Sequence, residues 1–137
     1  MPKTASVTAS SRAAAAAVPP ARAKPVVKFR VRISAGETIA IGPGKIDLLE
    51  AIADAGSITA AAKNIGMSYR RAWLLVTELN ASLKSPALDS AKGGQHGGGS
   101  ALTPVGRQLI DSYRRVQATA ASACAADIKI LTGLLAR

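Results

Sequence analysis

The chain has 137 residues, 48% hydrophobic but only 3% aromatic, enough for one small core built of Leu, Ile and Val and too little for several domains. Its 18 Lys and Arg against 8 Asp and Glu give a net charge of +10, which calls for a polyanionic partner: nucleic acid first, an anionic membrane surface second. With Cys124 and His96 each alone of its kind, an internal disulfide and a Cys/His metal cluster are excluded, and no apolar run approaches the ~18 residues that span a bilayer.

Residues 1–27 contain Lys3, Arg12, Arg22 and Lys24, no acidic residue, and much Ala, Ser and Pro. We expect a disordered basic tail that adds non-specific attraction to DNA. An acid-free start bearing Arg and Ser also mimics an organelle transit peptide. The apolar run at 13–18, closed by Pro19 and Pro20, is shorter than the ~7 residues of a secretory core.

Regular structure is expected from Lys28. KFRVRI alternates Phe29, Val31 and Ile33 with Lys28, Arg30 and Arg32, the pattern of a strand with one buried side. SAGE reads as a turn and TIAI as a short second strand. Pro43 then suits a helix start, and Ile46, Leu49 and Ala53 give that helix an apolar face, with Gly56 as its stop.

Ser57 is an N-cap for a short second helix with Ile58, Ala61, Ala62 and Ile65 on one side. Ser68 caps a third, running to about Leu83. Only Gly66, Met67 and Ser68 join the two, and a short Gly-containing turn between an Ala-rich helix and a basic one is a helix-turn-helix signature. In the third helix Ala72, Leu75, Val76, Leu79 and Leu83 share the core face, with Arg70 and Thr77 opposite. Trp73, Leu74, Arg71, Glu78 and Asn80 lie on the flanks or the outer side.

ALDSA and SALT read as two short strands joined by AKGGQHGGGS, the tip of a hairpin. Thr103 and Pro104 open a last helix, about 104–132, with a stripe through Val105, Leu109, Tyr113, Val116, Ala120, Cys124, Ile128, Leu131 and Leu135. The stripe is too long for so small a domain to bury alone. Leu109, Tyr113, Val116, Ile128 and Leu131 are therefore assigned to dimerisation, with the partner either a second copy or another chain. Cys124, in an Ala-rich run, is expected as a small buried or half-buried residue rather than a nucleophile.

The expected fold is mainly α with a small β-sheet: a winged helix-turn-helix spanning 28–137 with a long C-terminal dimerisation helix. Ser68, Tyr69, Arg70, Arg71, Trp73 and Thr77 are the candidate contacts of its recognition helix with double-stranded DNA. Arg can pair with guanine O6 and N7, and a helix N-terminus attracts phosphate. Packing between helices is an equal claim on Trp73. Lys92, Gly93, Gly94, Gln95, His96 and Gly97 are the candidate wing contacts. Their glycines expose backbone N–H groups to phosphate oxygens, while Lys92 and His96 supply charge.

GPGKIDLLEAIADAGSITAAAKNIGMSYRRAWLLVTELN, followed by GGQHGGGSALTPVGRQLIDSYR, resembles the N-terminal DNA-binding domain of the ModE family, molybdate-responsive bacterial transcriptional regulators. GSI-x₂-A-A, SY-[KR]-x-AW, the glycine-rich wing and LT-x-x-G stand in register over 28–116. The resemblance implies a winged helix that dimerises partly through its long helix and binds a palindromic operator. It places Ser68, Tyr69, Arg70 and Trp73 on the recognition motif, and 92–100 on the wing. KFRVRI corresponds to the strand that precedes the first helix and joins the wing sheet. Full-length members also carry β-rich C-terminal domains that bind molybdate between subunits, for which 137 residues leave no room. We expect a stand-alone form with no cofactor in this chain, direct molybdate sensing being left open.

Three functions compete at this point. The first is a dimeric sequence-specific regulator, of molybdenum-related genes by resemblance, in the bacterial cytoplasm at the nucleoid. The second is a non-specific architectural DNA binder, against which an ordered helix-turn-helix argues. The third is a partner that forms heterodimers with a longer family member. An enzyme is not expected: there is no nucleophile–base pair, no paired-carboxylate motif and no phosphate loop.

Overall fold

The computed structural model describes residues 23–91 and 99–136. Two short strands, β1 (Ile33–Ala35) and β2 (Thr38–Ile41), are followed by three helices: α1 (Pro43–Ala55), α2 (Ile58–Asn64) and α3 (Tyr69–Ser82). Strands β3 (Leu88–Ala91) and β4 (Gly99–Leu102) come next, then α4 (Pro104–Ala123) and α5 (Ala125–Gly133). This is the expected winged helix-turn-helix order. Among the described residues no helix is long and apolar enough to cross a membrane.

The chain divides into two units: Phe29–Cys124 is the first, and α5 falls in the second. In the first unit α1 is the central element. Its Leu48 and Ile52 pack with Ile58, Ala61 and Ala62 of α2, with Ala72 and Val76 of α3, and with Leu88. Its Ile46 and Leu49 pack with Leu79, Ala87, Ile110 and Tyr113. A helix enclosed on two sides needs a broad apolar face. Burial therefore falls on Leu48 and Ile52 as well as Ile46 and Leu49, while Ala53, expected inward, is exposed.

KFRVRI is extended but not a strand over most of its length. Ladder pairing begins only at Ile33, where β1 meets β2 antiparallel, Ser34 opposite Ile39 and Ala35 opposite Thr38. Upstream, side chains of α4 take the place of a neighbouring strand: Gln117 Nε2 donates to the Phe29 carbonyl (2.6 Å) and Tyr113 Oη to that of Val31 (2.8 Å). Phe29 and Val31 are half-buried as the alternation predicts, but Ile33 is exposed.

The expected union of this segment with the wing sheet does not occur, because β1–β2 and β3–β4 form separate two-stranded sheets. What reaches the wing is the turn after α1: Ser57 bridges Gly99, and Ser100 N–H donates to the Gly56 carbonyl (3.0 Å).

The expected single helix over 104–132 is two helices. Helix α4 stops at Ala123, where the Cys124 N–H closes back on the Ala120 carbonyl (2.9 Å), and α5 begins at Ala125. Cys124 is exposed rather than buried. No Pro or Gly lies at the break; it coincides with the boundary between units, where core packing along α4 has ended. In α5, Ile128 is half-buried and Leu131 exposed.

Candidate nucleic-acid interface

The turn between α2 and α3 is built from backbone geometry that only a few sequences supply. Gly66 N–H donates to the Lys63 carbonyl (3.3 Å) and Met67 N–H to that of Ala62 (2.8 Å), with Gly66 at φ +71°. This double closure is the Schellman arrangement, and its left-handed residue favours Gly. Met67 then packs on the cluster that holds Ala62. Ser68 Oγ accepts from the Arg71 N–H (3.1 Å), starting α3 at once. Ser57 caps α2 in the same way through the Ala60 N–H (3.1 Å). Ser68 thus serves as a cap, with its side chain at the exposed end of the helix.

Helix α3 buries Ala72, Val76 and Leu79 and half-buries Leu75. Every other candidate contact on this helix, Tyr69, Arg70, Arg71, Trp73 and Thr77, is exposed. Trp73 is 47% exposed and belongs to neither buried cluster. Among the described residues neither Arg70 nor Arg71 enters an ion pair. Both guanidiniums are therefore available to an anionic partner.

Two polar contacts hold the helix in place. Lys45 is buried, and its ammonium donates to the Ile39 carbonyl and pairs with Glu78 (2.8 Å). Asn80 Oδ1 accepts from the Ala87 N–H (2.8 Å), while Nδ2 donates to the Leu88 carbonyl (3.3 Å). The first contact ties α3 to α1 and β2; the second ties it to the start of the wing.

At the base of the wing, Thr103 N–H donates to the Ala87 carbonyl (3.0 Å) and Thr103 Oγ1 to that of Pro86 (2.6 Å). Thr103 also caps α4 through Gly106 N–H (3.1 Å). The proposed wing contacts Lys92, Gly93, Gly94, Gln95, His96 and Gly97 lie outside the described residues.

On the far side of α1, Arg114 joins α4 to α1. Its Nε and Nη2 grip the two oxygens of Glu50 side-on, and Nη2 also reaches Asp47 (2.8 Å). These hydrogen bonds hold the Glu50 carboxyl below its ordinary value, with the Coulomb attraction of Arg114 adding to them and burial opposing. The Arg114 guanidinium is pushed up in turn.

Of the residues assigned to dimerisation, Tyr113 is spent within the protomer: its ring is buried and its hydroxyl is held by Val31. Leu109 is half-buried and Val116 exposed, and both line an open apolar groove of about 290 Å³ with Val31, Ile33, Ile41 and Leu83. Sequence reasoning missed Lys45 and Asn80 as positioning residues and left Leu74 without a role. Charged residues are rarely buried, so Lys45 carried no signal; Leu74 did, by lying outward on the wheel.

Residues 44–107 match the family model of bacterial regulatory helix-turn-helix proteins of the lysR family. Within that span α2, the Gly66 turn and α3 form the helix-turn-helix. Among curated proteins this helix-turn-helix chain is 44% identical over 78 residues to the molybdenum-pterin-binding protein MopB of Rhodobacter capsulatus, covering 57% of the chain and 29% of MopB. It is 42% identical over 71 residues to the DNA-binding transcriptional dual regulator ModE of Escherichia coli K12, covering 52% and 27%. The chain thus spans less than a third of the length of these relatives. Among solved structures, that of the CbnR_DBD–DNA complex aligns with a TM-score of 0.48 and 22% identity over 66% of this chain and 95% of that one. The ModE resemblance read from the motifs and the match to the lysR family model fall on the same helices.

Proposed function

We propose that the chain is a dimeric, sequence-specific DNA-binding regulator of transcription, acting on molybdenum-related genes in the bacterial cytoplasm and not as an enzyme. The observation that carries the reading is the exposed, cationic N-terminal end of α3, fixed by a capped Gly66 turn against α2. That end suits insertion into a major groove, where Arg70 pairs with guanine and Arg71 with phosphate. The molybdenum link comes from the names of the curated relatives, MopB and ModE.

The groove lined by Leu109 and Val116 supports a dimer. Two copies would present α3 to successive major grooves about 34 Å apart. The test is fluorescence anisotropy at near-physiological salt, on a duplex carrying the palindrome of a molybdate-transport promoter and on its scrambled counterpart. A preference of ~10³-fold or more is the expected result. Equal affinity for the two would replace this reading with a general DNA-coating role.

A further inference from the structure

We propose that the outward face of α3 reads thymine through its C5-methyl group, with Trp73, Leu74 and Thr77 as the contacting side chains. The inference rests on the DNA-binding reading above and names the base chemistry that this reading leaves open. At 100° per residue, the face opposite Ala72, Val76 and Leu79 carries Arg70, Leu74, Thr77 and Ala81, with Trp73 beside them. One guanidinium stands at its head. No further charge lies along it, because Glu78, on its edge, is held by Lys45.

Trp73 is 47% exposed and Leu74 is 50% exposed. A helix face that meets only water carries charged and polar side chains. An apolar strip there marks a surface that binds something. The charges choose the class of partner: Arg70 and Arg71 flank the strip, unpaired among the described residues, on a chain of net charge +10. Seen from the major groove, base edges present donors, acceptors and one apolar group, the thymine methyl. The apolar groups of this strip, the Leu74 side chain, the Trp73 ring face and the Thr77 methyl, therefore have one base feature to match. Arg70, a turn closer to the helix start, takes a polar feature beside it. The Thr77 methyl extends the strip toward Ala81, so thymines next to the guanine or phosphate that Arg70 meets are the ones read.

The full chain first selects duplexes from a pool with a randomised centre. The tightest duplex is then titrated with its thymines replaced one at a time by deoxyuridine, which removes the methyl and keeps the pairing. Each methyl taken out of water is worth about fourfold in affinity, so a loss of that size is expected at one or more positions in each half-site. The loss should vanish in Trp73→Ala or Leu74→Ala, whose thermal unfolding is followed alongside; should either fail to fold, the other variant and Thr77→Ser, which removes only a methyl, carry the comparison. Enrichment of a sequence with equal affinity for thymine and deoxyuridine throughout overturns this inference and leaves sequence-specific binding standing. No enriched sequence overturns both. A penalty unchanged in both variants assigns the methyl to groove shape and overturns the contact. Loss of the oligomer in Leu74→Ala, seen by sedimentation, makes the strip a protein interface and overturns it as well.

Discussion

The Lys45 ammonium lies 2.8 Å from Glu78 Oε1, linking the first turn of α1 to the middle of α3. The two ends of this pair differ in solvation: Lys45 is 6% exposed and Glu78 52%. Removing the exposed partner strands a buried charge, whereas removing the buried one releases a carboxylate into water. Glu78→Ala should therefore cost more than Lys45→Met, about 2 against about 1 kcal/mol. The double variant should be no worse than Glu78→Ala alone. Urea unfolding of the three checks the order, and the reverse order would mean that the Ile39 hydrogen bond outweighs the ion pair.

Asn80 is the only contact of side-chain amide type between α3 and the wing among the described residues, and it uses both ends of its amide. Asn80→Asp keeps the acceptor for Ala87 N–H but points a second oxygen at the Leu88 carbonyl. We expect it to destabilise by roughly 1–3 kcal/mol, as much as Asn80→Ala despite its closer shape. Thermal unfolding measures this. DNA affinity should fall in parallel if the wing contributes contacts.

Gly106 illustrates a different constraint. A Cβ placed there would run into the Ala87 carbonyl oxygen, which is backbone and already accepts from Thr103 N–H. Gly106→Ala must push α4 away from the start of β3, at roughly 1–3 kcal/mol, although Ala is the better helix former. Gly44, in the first turn of α1, has nothing within reach of an added Cβ. Gly44→Ala is the control that should be neutral or stabilising in the same melt.

Local chemistry was legible in the sequence and distant chemistry was not. Ser57, Ser68 and Thr103 each cap a helix as their types and positions foretell, and Gly66 adopts the left-handed turn. The exposed candidates on α3 follow from its apolar periodicity. KFRVRI shows the limit: alternation reports which side chains face inward, not what satisfies the backbone. The donors come from Tyr113 and Gln117, 82 and 88 residues away. The break at Cys124 escaped for a related reason. The stripe of small and apolar residues continues past it, so periodicity alone cannot see where packing ends. The wing contacts, 92–97, remain expectations because they lie outside the described residues.

The Arg114–Glu50 grip predicts how the fold responds to acid. The Glu50 carboxyl, held below its ordinary value of 4.5 by hydrogen bonds from Arg114, binds protons less readily folded than unfolded. Its contribution is complete above the unfolded value and is lost as the pH falls through the lower, folded one. Both side chains are more than a third exposed, so solvent screening keeps the effect modest. Between about pH 5 and pH 3 the melting temperature of the unmodified chain should fall more than that of Glu50→Gln. Parallel acid limbs for the two would show that the grip contributes nothing to stability.

The groove beside α4 gives the last prediction. Val116 is 50% exposed and Ile33 is 54% exposed, both lining an apolar surface that water covers in an isolated protomer. Placing a carboxylate there costs little in the monomer and a great deal in a dry interface. Val116→Glu should therefore leave the melting temperature of the monomer nearly unchanged and abolish the dimer in sedimentation. Affinity for a two-half-site duplex should drop on the order of 10²-fold, because the second half-site no longer binds intramolecularly. Affinity for a single half-site should stay as it was. A Val116→Glu protein that remains dimeric would move the interface elsewhere, and α5 with Ile128 and Leu131 would be the next segment to substitute.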